Sequence, residues 1–118
     1  MKLLWIIAIL GLAASSQAAP AAQTIPDRCA YAYAAASYRV AFMIHKQITR
    51  FGDADALERA YHAVQLSRDL NCPVEPMLNA IDCTVSLLID GGGSEVTEPE
   101  AVECVSRQLG REFPKLGD

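Results

Sequence analysis

Residues 24–51, TIPDRCAYAYAAASYRVAFMIHKQITRF, decide the fold. Between Pro26 and Gly52 the chain has neither proline nor glycine, and its apolar residues return at helical spacing instead of alternating. Ala34, Ser37, Ala41, Ile44, Ile48 and Phe51 fall on one stripe, and Tyr31, Ala35, Tyr38, Phe42 and His45 on a second beside it. Thr24-Ile25-Pro26-Asp27 has capping-box spacing with proline in the first turn, which predicts a helix starting there and ending before Gly52. Two apolar stripes on one helix predict burial on more than one side, so further helices must pack around it.

Three more helices follow from the same signals. Asp53-Ala54-Asp55-Ala56-Leu57-Glu58 opens the second, with Asp55 and Glu58 at capping-box spacing and Leu57, Tyr61, Val64 and Leu70 as its expected apolar side. Asn71, Cys72 and Pro73 stop it. A third is predicted from about Pro76 to Asp90, ended by Gly91-Gly92-Gly93, with Leu78, Ile81, Val85 and Leu88 on one face and Ala80, Cys83 and Leu87 on another. Thr97-Glu98-Pro99-Glu100 begins a fourth, whose stripe is Val102, Val105 and Leu109 and which frays near Gly110 to Pro114. No segment has the strict alternation of a half-buried strand. The expectation is an all-α domain over residues 24–118, either a small four-helix bundle or two stacked helical hairpins.

All four cysteines, Cys29, Cys72, Cys83 and Cys104, lie in this region, and helix geometry selects their pairing. Cys29 lies 23 residues before Gly52 and Cys72 lies 20 after it, so both reach the same end of the first hairpin. Cys83 lies seven residues before Asp90 and Cys104 seven after Thr97, facing each other across the second. Disulfides Cys29–Cys72 and Cys83–Cys104 are therefore predicted, each locking one hairpin. No C-x-x-C pair is present for zinc or haem.

The N-terminus has the three parts of an export signal: Lys2, an apolar run from Leu3 to Leu12, and a polar segment Ser15-Ser16-Gln17-Ala18 with small residues before the cleavage point. The run is roughly a dozen residues against the ~20 that a membrane span needs. Residues 1–18 are thus expected to be a cleaved signal peptide and 19–23 a short flexible lead, which places the mature chain outside the cell or in a periplasm, with no membrane contact after cleavage. A domain of this size is only marginally stable through its core alone, and an even cysteine count in an exported chain reads as a disulfide framework. The formal charge of −4 has no basic run, which argues against nucleic acid as a partner.

No motif for catalysis, a cofactor or a metal emerges. His45, His62 and Glu58 fall near one another across the first hairpin, but Glu58 to His62 is one residue longer than the Glu-x-x-His of di-iron bundles, and an i,i+4 pair on a solvated face accounts for it. Asp53, Asp55 and Glu58 lack the rest of a calcium loop, and Asp90-Gly91-Gly92-Gly93-Ser94 lacks the Lys-Ser/Thr ending of a phosphate loop. The expectation is a non-enzymatic interaction protein with no cofactor, binding another macromolecule or a second copy of itself through a helical face. A carrier of a small apolar ligand in the bundle core is the alternative. Cys29 to Tyr38 holds no charge, so Tyr31, Tyr33 and Tyr38 are the candidate contact residues, suited to recognition by their large area and few rotamers.

Overall fold

The computed structural model describes residues 24–50 and 53–115. The expected signal peptide, the lead at 19–23, the turn at Phe51-Gly52 and residues 116–118 lie outside the described residues. Four helices follow in order: α1 (Asp27–Arg50), α2 (Ala54–Asp69), α3 (Val74–Asp90) and α4 (Glu98–Leu109). Among the described residues there is no strand. The two disulfides join Cys29 to Cys72 and Cys83 to Cys104, as the turn-counting predicts. Cys83 and Cys104 lie on adjacent helices, α3 and α4, while Cys29 near the start of α1 meets Cys72 just past the end of α2.

The helix ends refine the sequence reading. α1 begins later than the Thr24 box suggests: the carbonyl of Pro26 accepts from the amides of Cys29 and Ala30, at 3.0 and 3.4 Å, and so opens the helix. Asp53, not Asp55, caps α2, its carboxylate accepting from the Ala56 amide. Asp55 and Glu58 instead face residues one turn on, Arg59 at 3.1 Å and His62 at 3.5 Å. α3 starts at Val74, with Pro76 inside its first turn, where proline leaves no helical bond unmade. The capping box at Thr97 and Glu100 forms in full, with proline in the first turn, and Gly110 ends α4 in the left-handed conformation.

α1 is the hub. α2 and α3 each pack along it, α4 closes against both α1 and α3, and α2 and α3 scarcely meet each other. The packing face of α2 is made of small residues, Ala56, Ala60, Ala63 and Ser67, and that of α3 mixes small with large, Met77, Ala80, Thr84 and Leu88. This corrects the expected faces, since Leu57, Tyr61 and Leu78 are exposed. Two helices come closest through alanine and serine, whose short side chains let the backbones approach, and bulkier neighbours are left on the flanks. The fully buried Thr84 hydroxyl shows how near α3 comes: its Oγ1 donates to the carbonyls of Ile81 and, across the interface, Ser37. A second cluster of Ala41, Leu88 and Val96 fills the far end of the bundle.

Candidate interaction surface

The three tyrosines of α1 have three different environments. Tyr33 is fully buried, and its hydroxyl donates to the carbonyl of Pro73 at 2.6 Å, tying the start of α3 to the second turn of α1. Burial pushes its phenol above the usual pKa of 10. It therefore offers no area to a partner and leaves the candidate set. Tyr31 is half-buried because the C-terminal segment lies across it: its hydroxyl donates to the Pro114 carbonyl at 2.9 Å and its ring meets Phe113 edge-on. Arg111 fastens the same segment to the start of α1, donating to the Ile25 carbonyl at 2.7 Å and lying 3.2 Å from Asp27. Sequence reasoning missed this strap. Its only signal was an aromatic next to a proline beyond the last helix.

Tyr38, also half-buried, stacks on Phe42 with the Arg39 guanidinium over its ring. With Ala34, Ala35 and Arg39 it forms one wall of a shallow groove of about 210 Å³, closed by Glu98, Ala101 and Val102 of α4. That volume is below the ~300 Å³ at which small-molecule pockets begin, so the groove suits a single side chain. Among the described residues, Ala30, Tyr33, Ala36, Ser37, Ala80, Thr84, Leu88 and Val105 have no exposure at all.

The larger feature lies on the other side. On α3, the flank carrying Cys83 and Leu87 meets α4, since Cys83 is bonded to Cys104 and Leu87 borders a pocket with Glu100 and Glu103. The opposite flank carries Val74, Leu78, Ile81, Val85 and Ile89 at spacings of three and four residues, facing the cleft towards α2. Leu57, Tyr61 and Val64 line the flank of α2 that turns to the same cleft. Val64 and Ile81 reach the core, whereas Leu57, Tyr61, Val74, Leu78 and Ile89 are 52 to 67% exposed. Ile48 of α1, 60% exposed, sits beside Gly93 at the same end as Ile89.

The polar candidates separate. His45 bonds through Nδ1 to the Gly93 carbonyl at 2.8 Å, holding the glycine turn against α1, while His62 stands on the exposed side of α2 beside Glu58. Among the described residues no three His, Cys, Asp or Glu side chains converge as a metal site would require. No described helix is long and apolar enough to cross a membrane. No protein-family model, curated protein or solved structure matches the chain.

Proposed function

We propose that this is an exported, disulfide-stapled helical protein that acts by binding another macromolecule, or a second copy of itself, through the α2–α3 face. The observation that carries this reading is the exposure of Leu57, Tyr61, Val74, Leu78 and Ile89 on the two flanks of one cleft. Exposed apolar residues scattered singly are ordinary, whereas five grouped on neighbouring flanks are the mark of a contact surface. The groove at Tyr38, on the far side of α1, is a second point of contact for one partner side chain. Two disulfides in so small a domain fit an oxidising compartment, in keeping with the export signal. The fully buried side chains at the centre of the described bundle, Tyr33, Thr84, Leu88 and Val105 among them, speak against storage of an apolar ligand there.

Site-specific photo-crosslinking in the exported protein tests the reading. A photoreactive residue replacing Leu78 is expected to capture one discrete protein species, whereas the same residue replacing Glu103 on α4 captures none. Equal capture at both positions, or a lipid extracted in one-to-one ratio from the purified protein, would overturn it.

A further inference from the structure

The exposed face has the area and charge of a self-association surface. At about 100 Å² for each half-exposed large side chain, Ile48, Leu57, Tyr61, Val74, Leu78 and Ile89 present roughly 600 Å² of apolar surface. That equals the upper end of the largest patch on a typical monomer. It is also most of the ~800 Å² that each partner contributes to a stable interface. The half-buried Val64, Ile81 and Val85 between them supply part of the remainder.

The distribution of large and small side chains points the same way. Half of the buried apolar residues are alanine, while leucine, isoleucine and tyrosine stand outside on α2 and α3. Such a chain has a thin core of its own and the material of a second core on its surface. Charge is sparse on the two flanks: Arg68 continues the line of Leu57, Tyr61 and Val64 on α2, and exposed Asp82 lies one turn on from Leu78 on α3. Charge depletion with apolar and aromatic enrichment is the composition of a homodimer interface core. Val74, Leu78 and Ile89 run along one side of α3, and a two-fold axis beside that line brings the same residues of both copies together, as an isologous contact requires.

We infer that the occupant of the α2–α3 cleft is a second copy of this chain, forming a two-fold dimer in which α3 of each protomer seats against α2 and α3 of its partner. The inference rests on the proposed function of that face and commits it to one partner. Since each copy carries excess negative charge, association relies on apolar contact, and added salt strengthens it by screening the repulsion.

Sedimentation equilibrium of the oxidised mature chain tests this between ~1 µM and ~1 mM. A dimer is expected to dissociate in the micromolar range and to tighten when salt is raised. Leu78→Glu is expected to weaken it at least ~30-fold, the size of a hot-spot loss, with helical CD and both disulfides intact. If that variant fails to fold, Ile89→Lys, at the most exposed position of the α3 line, serves in its place. A monomer at every concentration overturns the inference, and so does a dimer indifferent to both substitutions. The proposed function fails separately: a monomer whose position 78 still crosslinks to a foreign protein keeps the face and loses the second copy. No crosslink from a monomer removes both.

Discussion

Tyr33 illustrates how one side chain can serve the fold in a place where sequence alone suggests a contact surface. It shares a ten-residue stretch with Tyr31 and Tyr38, and nothing in composition separates the three. What separates them is azimuth: Tyr33 turns towards the α2–α3 connection, where its hydroxyl donates to the carbonyl of Pro73. Tyr33→Phe is expected to cost about 1 to 2 kcal/mol by leaving that carbonyl without its donor, measured by urea denaturation. The raised phenol has a pH signature. The unfolded chain releases this proton near 10, the native chain only above it, so stability falls as pH rises beyond 10 and the Phe variant loses that part of the slope. Spectrophotometric titration checks it directly: Tyr33→Phe should remove a phenol that ionises above 10. Glu100 has the opposite sign. The Thr97 amide and hydroxyl hold its carboxyl below the ordinary 4.5, so its contribution is present above that pH and is lost as pH falls through the lowered value. Thr97→Ala is expected to cost about 1 kcal/mol at neutral pH, and to flatten the acid limb of the stability curve.

At the scale of the helix, the positions of all four elements and both disulfides were legible in the sequence, because caps, glycines and prolines act locally and cysteine heights follow from a fixed rise per residue. The buried faces of α2 and α3 were less legible. α2 carries two apolar series at helical spacing, one of large residues and one of small, and hydrophobicity favours the large, while α3 buries Met77, Ala80, Thr84 and Leu88, a mixed line between the two faces its spacing offers. On α2, close approach to α1 favours the small instead, and that preference belongs to the partner helix, which a periodicity argument on one helix does not contain. The strap from Arg111 to Pro114 was illegible for a similar reason, since its bonds reach residues more than eighty positions away. The inverted face of α2 makes a paired prediction. Ala60→Leu, which inserts bulk between α1 and α2, should cost about 1 to 3 kcal/mol. Leu57→Ala, three residues earlier and exposed, should change monomer stability by no more than about 0.5 kcal/mol. Chemical denaturation at concentrations low enough to keep the chain monomeric distinguishes them, and the reverse order would show that α2 buries its large residues after all.

For the molecule as a whole, the decisive quantity is how little apolar area the core gains. Nine of the eighteen buried apolar residues are alanine, and alanine burial removes far less surface from water than leucine burial does at ~25 cal/mol per Å². Set against a backbone entropy cost of about 1 to 2 kcal/mol per ordered residue, such a core leaves little margin, and restraint of the unfolded chain must supply the difference. The chain-entropy model assigns about 4 kcal/mol to the 43-residue Cys29–Cys72 separation and about 3.4 kcal/mol to the 21-residue Cys83–Cys104 separation, as upper values. Together these match the whole stability of a typical small domain, which begins at ~5 kcal/mol. The reduced chain is therefore expected to lose its helical CD signal at 37 °C while the oxidised chain keeps it. Replacing Cys29 and Cys72 with alanine should lower the denaturation midpoint more than replacing Cys83 and Cys104, since the longer loop is the costlier one to leave open. Full helicity in the reduced chain at 37 °C would mean that the alanine-lined core suffices by itself, and the link between this fold and an oxidising compartment would lose its physical basis.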